Sequence, residues 1–224
     1  MPGESANRVI HHGDGIEWLK SSDLEENQAV VTSLPDVSEL PELGFEGWQE
    51  WFTSVSELIC ASVDPRSVAI FYQSDIKHEG RWIDKSFLVS KGAEAAGSFL
   101  LWRKVACRVE PGLVSFGRPA YGHLLCFSRE HRITPAQSSA DVLPKLGQMS
   151  WSRAIGTEVC DAIISFLQKH TRCDTVVDPF CGLGSILAAA NARGLHAIGV
   201  EKSKKRVRKA RRLEVPEAGA TTAE

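Results

Sequence analysis

The sequence is poor in methionine and tyrosine, with two of each in 224 residues. It also lacks any apolar run near the roughly 20 residues that a bilayer-spanning helix needs. Charge of one sign is missing too: 26 Lys and Arg against 28 Asp and Glu leave a formal net charge of −2. That balance excludes a global pull towards nucleic acid or membrane, so any polyanion site must be a local patch. The six cysteines (Cys60, Cys107, Cys126, Cys160, Cys173 and Cys181) form no C-x-x-C pair and no zinc-type spacing. They read as buried free thiols; Cys181 alone stays open to another role, because it lies in a glycine-bearing loop. Met1 to Arg8 is polar and has no apolar signal core. A reducing compartment is therefore expected, the cytoplasm first, with the nucleus open.

What is present is an alternation of short apolar runs and longer amphipathic stretches. This is the pattern of an α/β fold, a mostly parallel sheet with helices on both faces. Strands are predicted at Val9–His12, Ala29–Ser33, Val68–Tyr72, Ser98–Val105, Leu124–Ser128, Thr175–Val177 and Ala197–Val200. Helices are predicted through Ile16 to Leu19 and over Phe45–Ser62, Asp84–Ala96, Thr157–His170, Gly184–Arg193 and Ser203–Arg212. In the second of these Trp48, Trp51, Phe52, Val55, Leu58 and Ile59 share one face; Asp84 is placed to cap the third. Ser98–Val105 and Leu124–Ser128 are expected to pair at the sheet edge, joined by a Gly/Pro-rich loop, Pro111–Gly122. Glu130–Gln148 is polar and reads as a connecting loop, and Val215–Glu224 as a frayed tail. One domain over 1–214 is expected, with halves at about 7–130 and 149–214.

Thr175–Glu201 carries the most chemistry. A β-branched strand runs into Asp178, then the turn Pro179-Phe180-Cys181-Gly182-Leu183-Gly184-Ser185, then an Ala-rich helix. Glycines at 182 and 184 let backbone N–H groups approach a ligand where a Cβ would block it. A second strand then ends in Glu201, placed to accept both hydroxyls of a ribose. The unit is a nucleoside-binding one. A dinucleotide is disfavoured: the spacing is not G-x-G-x-x-G, and a pyrophosphate would meet the charge of Asp178. An ammonium group, such as that of a methionine moiety, would find its partner there.

Asp-Pro-Phe-Cys-Gly-x-Gly-Ser followed by Ala-Ile-Gly-Val-Glu resembles the cofactor motifs of the S-adenosylmethionine-dependent amino-methyltransferases. The order resembles their permuted group, in which the catalytic half precedes the cofactor half. The resemblance covers 174–212 and 9–36. It implies a Rossmann-like methyltransferase fold and S-adenosyl-L-methionine as cofactor, held by Asp178, Phe180, Gly182, Gly184, Ser185 and Glu201. Asp14 in Gly13-Asp14 resembles the acidic turn near the adenine edge, and Ser150-Trp151-Ser152-Arg153 sits where the family has a lead-in segment.

In that family a strand ends in Asp/Asn/Ser-Pro-Pro-aromatic, the polar residue holding the target amine and the ring stacking on the base. The matching turn here is Ser33-Leu34-Pro35-Asp36. Ser33 and Pro35 fit the pattern, whereas Leu34 replaces the first proline and Asp36 the ring. Ser33 Oγ and the Leu34 carbonyl can accept hydrogen bonds from an amine and draw out its lone pair. Asp36 is read either as a substrate contact or general base, or as a turn cap.

Arg103-Lys104, Arg108, Arg118, Arg129 and Arg132, interleaved with Trp102, Phe116, Tyr121 and His123, resemble a surface for phosphates and bases. Arg103, Arg118 and Tyr121 are the expected substrate contacts. Lys202 to Arg212 holds eight basic residues in eleven positions, which suits an anion alongside or a solvated helix equally. No stretch is long enough for a separate DNA-recognition module. The expected substrate is therefore a nucleotide of RNA, tRNA or another small structured RNA, in preference to DNA. A DNA amino-methyltransferase (adenine N6 or cytosine N4) and a non-catalytic cofactor-binding subunit stay open, as do a partner subunit and a homo-oligomer. No metal is expected.

Overall fold

The computed structural model describes residues 6–149 and 155–215. From the N-terminus it runs β1 (Arg8–His12), α1 (Gly15–Lys20), β2 (Gln28–Thr32), α2 (Gly44–Ser62) and β3 (Ala69–Gln73). A hairpin of β4 (Ile76–His78) and β5 (Arg81–Ile83) precedes α3 (Lys85–Ala95), β6 (Phe99–Cys107), β7 (Tyr121–Ser128) and the short β8 (Val142–Leu143). The chain closes with α4 (Thr157–His170), β9 (Thr175–Asp178), α5 (Ser185–Ala192), β10 (His196–Glu201) and α6 (Lys204–Ala210).

Eight of these strands form one sheet in the order β1-β10-β9-β2-β3-β7-β6-β8. The first five are mutually parallel, β7 runs antiparallel to both β3 and β6, and β8 pairs parallel to β6. Alternation along the central strands explains why both faces are covered. Val31, Ile70 and Val176 point to one side, where Val159, Ile163 and Leu187 of α4 and α5 meet them. Val30, Phe71 and Val177 point to the other, against Trp48, Phe52, Ile59 and Val89 of α2 and α3. Strands buried on both faces are continuous apolar runs, as these are.

From β9 the chain winds outwards through β10 towards β1, whereas from β2 it winds the opposite way through β3. The carboxyl ends of β9 and β2 therefore lie side by side at a reversal of strand order, where open α/β sheets leave a crevice. A close contact shapes that crevice. A Cβ built on Gly15, at the start of α1, would sit 2.0 Å from the carbonyl oxygen of Pro179, which follows β9. Only a glycine lets the two turns meet. Gly15→Ala should cost about 2–4 kcal/mol, read from urea unfolding; a variant as stable as the parent would show that the turns separate freely.

The structure departs from the sequence-based expectation in three places. The hairpin β4–β5 is absent from that expectation; its turn carries positive φ at both Glu79 (48°) and Gly80 (77°). The connecting segment 130–148 is not wholly irregular, since it contains a short 3₁₀ turn at Pro135–Gln137 and β8. It is drawn in because buried Lys104 donates from Nζ to the carbonyls of Ser139 (3.1 Å) and Ala140 (2.8 Å). Strands β6 and β7 do pair, but β7 is an interior strand and β8 takes the edge. The expected tail beyond Val215 and the segment Ser150–Arg153 lie outside the described residues.

Candidate active site

The end of β9 carries Asp178, 4% exposed. Thr32 Oγ1, from the end of β2, donates to its Oδ1 at 2.7 Å, and the Phe180 N–H donates to the same oxygen at 3.0 Å. Burial pushes this carboxyl up to about 7, against the pull of those two hydrogen bonds, and the charge of Glu201 adds to the rise. A buried carboxylate in this state favours a cation beside it. The turn then bends through Gly182 (φ 55°) and Gly184 (φ 78°), both left-handed, before α5 begins.

Glu201 ends β10, with its Oε1 accepting from the Ser203 N–H at 2.7 Å. Asp14 caps α1, accepting from the N–H groups of Ile16 (2.8 Å) and Glu17 (3.2 Å) through Oδ1. Its Oδ2 pairs with Lys202 Nζ at 2.7 Å. Burial raises the Asp14 carboxyl, but Lys202 and the two backbone donors outweigh it, so the group titrates below the usual range. Cys181 is buried, and desolvation first, then the charges of Asp178 and Glu201, push its thiol well above the ordinary value. Its side chain packs into the core cluster beside α5 and also lines the neighbouring cavity.

The turn Ser33-Leu34-Pro35-Asp36 leaves β2 beside this loop. Leu34 is buried among α2 side chains, and Trp48 Nε1 of α2 donates to the Pro35 carbonyl at 3.1 Å. The Asp36 N–H donates to Glu39 Oε2 at 3.2 Å, and Asp36 precedes a 3₁₀ turn, Val37–Glu39. Its carboxylate Oδ1 meets Lys85 Nζ at 2.5 Å. The Lys85 side chain is 4% exposed against 32% for Asp36. Nothing in the sequence marks a lysine at the first position of a helix as buried, so sequence reasoning misses this partner.

One cavity of about 670 Å³ joins the two turns. Of the expected cofactor residues, Asp14, Asp178, Phe180, Gly182, Ser185 and Glu201 line it, as do Ser33, Pro35 and Asp36 of the expected acceptor turn. Gly184 does not; its left-handed turn starts α5, and a Cβ there would stand 3.2 Å from Ala210 of α6. Of the expected substrate contacts only Arg118 lines the cavity. Arg103 lies in the middle of β6 opposite Leu125, and Tyr121 packs edge-on against His123. Arg108, just past the end of β6, takes the place expected for Arg103: it lines the cavity and donates to Ser74 Oγ at 2.7 Å. Arg129 is spent on the carbonyls of Ala61 and Val63, and Arg132 lies over Phe99.

Comparison with known proteins bears on the same region. Residues 157–212, spanning α4 to α6, match a family model described as DNA methylase. No curated protein sequence matches the chain. A putative DNA modification methylase of Thermus thermophilus, complexed with S-adenosyl-L-methionine, superposes with a TM-score of 0.68 at 20% identity, over 92% of this chain and 93% of that one. The PvuII DNA methyltransferase, described as cytosine-N4-specific, gives 0.70 at 17% identity, over 95% and 89%.

These matches overturn the expectation of RNA over DNA, because the family model and the similar structures are those of DNA methylases. This chain covers about nine-tenths of both similar chains, so its length does not set it apart from them. Family model and superposition agree: residues 157–212 match the DNA methylase model, and the whole chain has the fold of these methyltransferase structures.

Proposed function

We propose that this chain transfers a methyl group from S-adenosylmethionine to the exocyclic amino group of adenine or cytosine in DNA. The observation that carries the reading is the juxtaposition of Asp178 with Thr32 at 2.7 Å, which brings the cofactor loop and the acceptor turn to one cavity.

The residues fit the cofactor. Asp178, buried and raised to about 7, suits a ligand bearing positive charge. Gly182 leaves the backbone of its turn open to close approach, and Glu201, oriented by the Ser203 N–H, suits a ribose diol. The cofactor supplies an electrophilic methyl group when bound. The chain's own part is to hold the amine in line with it. The Ser33 hydroxyl oxygen and the Leu34 carbonyl accept the amine N–H groups, drawing its lone pair out of the ring. Trp48, bound to the Pro35 carbonyl, keeps this turn in place. A base in a duplex cannot reach such a cavity, so the target nucleotide has to leave the stack.

The test is transfer of label from methyl-labelled cofactor to unmethylated duplex DNA, followed by mass spectrometry of its nucleosides. N6-methyladenine or N4-methylcytosine is expected. Ser33→Ala should lower kcat about 10- to 100-fold with cofactor affinity unchanged. Cofactor binding with no label in DNA would overturn the reading.

A further inference from the structure

The connection between β6 and β7 leaves the sheet at the carboxyl end of the parallel strands, the end that carries Ser33 and Asp178. Its base is closed by the Arg108 N–H donating to the Ala120 carbonyl at 2.7 Å. Beyond that closure the chain turns through Gly112 (φ 93°) and Gly117 (φ 77°), and between these glycines stand Leu113, Val114 and Phe116. Their exposures are 61%, 76% and 91%, and Phe116 is the most exposed large apolar side chain among the described residues. The residues that follow directly, Gly117, Arg118 and Pro119, line the active-site cavity.

Three large apolar side chains held in water at a loop tip contribute nothing to the core. Their position suggests what they contact. Arg118, two positions after Phe116, lines the cavity, as does Lys77 of β4. A cation that closely follows an apolar tip in the chain suits a phosphate backbone beside the interior of a base stack, the pairing used by proteins that insert an apolar wedge between base steps.

We propose that the loop from Pro111 to Pro119 is a wedge for duplex DNA: Phe116, supported by Leu113 and Val114, enters the stack and fills the space vacated by the nucleotide that moves into the cavity. The committed partner is a DNA duplex, and the inference rests on the DNA reading above. The wedge lowers the cost of unstacking and takes no part in binding cofactor or holding the amine.

A comparison of duplex with single-stranded substrate tests this, because a strand without a stacked partner has nothing to be prised apart. Labelled methyl transfer is measured on sonicated unmethylated DNA and on the same DNA after heat denaturation. Phe116→Ala is expected to lower kcat/KM on the duplex about 10- to 100-fold, as a lost unstacking contribution would. On denatured DNA it should stay within about twofold of the parent, and cofactor affinity should not change. Phe116 is exposed, so this variant folds as the parent does; Val114→Ala should act in the same direction, more weakly. An equal fall on both DNA forms would make the loop a general contact and overturn the proposal, as would no fall on either. A parent chain that methylates neither form would sink the DNA reading and the wedge with it. Parental methylation of both forms with Phe116→Ala indifferent would sink the wedge alone.

Discussion

Asp178→Asn is expected to abolish cofactor binding and, in the same molecule, to raise stability above pH 7. Both effects come from the buried carboxyl whose folded-state pKa stands near 7 in place of 3.8. The folded chain therefore holds a proton between those values that the unfolded chain has released. The stabilising contribution of this site is full below the ordinary carboxyl value and is lost as pH rises through about 7. Asparagine keeps the shape without the charge, so the variant should gain about 2–4 kcal/mol over the parent at pH 8 to 9. A cationic ligand end reverses the balance by favouring the ionised form. Cofactor affinity of the parent should thus rise from pH 6 to pH 8, and the Asn variant should lose about 100-fold or more at every pH. Calorimetric titration and urea unfolding over pH 6 to 9 measure the two halves. Cofactor binding by Asp178→Asn within a few-fold of the parent would remove the aspartate from the site.

A second large effect is expected at Asp36, and it separates the two roles open to that residue. Lys85 is the more deeply buried partner of the pair, so removing Asp36 strands a cation away from water. Asp36→Ala should therefore cost about 3 kcal/mol, most of it the penalty of the unpaired ammonium. Lys85→Met should cost less, because the carboxylate, one-third exposed, can still be hydrated. Combined with Asp36→Leu it should recover most of the stability, since an apolar pair replaces a buried ionic one. Methyl transfer by the double variant then decides the role. Near-parental turnover would make Asp36 a structural counterion; a loss exceeding tenfold in a stable double variant would make it a substrate contact. Urea unfolding of all three variants, followed by turnover at saturating cofactor, provides the comparison.

Much of this architecture is legible in the residues, and the limits have physical causes. Central parallel strands such as Ala69–Gln73 are buried throughout because both faces are covered, and Ala69 to Tyr72 is accordingly an unbroken apolar run. The cofactor loop is legible because its chemistry is local: acid, glycine turn and second acid lie within one β-α-β unit. The hairpin at Ile76–Ile83 has three-residue strands with exposed faces, which leaves no periodicity to detect; Glu79-Gly80 is its one turn signal. Arg103 is a poorer choice than Arg108 because only the strand end, set by the pairing of Cys107 with Tyr121, decides which arginine overhangs the cavity. Lys85 is invisible for a stronger reason: its burial depends on Asp36, 49 residues earlier, and on Phe52 beneath it. Contacts between distant segments leave no trace in local composition.

The reversal of strand order between β9 and β2 also bears on how the chain is made. Thr32 and Asp178 are 146 residues apart, and β2 obtains its neighbour on one side only when β9 has been synthesised. Until then a nascent chain already carrying β2, β3, β6 and β7 presents the open edge of β2, a run of Ala29, Val30 and Val31. Such an edge invites pairing with another copy. Ribosome-bound chains ending before Thr175 should therefore depend on chaperones and bind no cofactor.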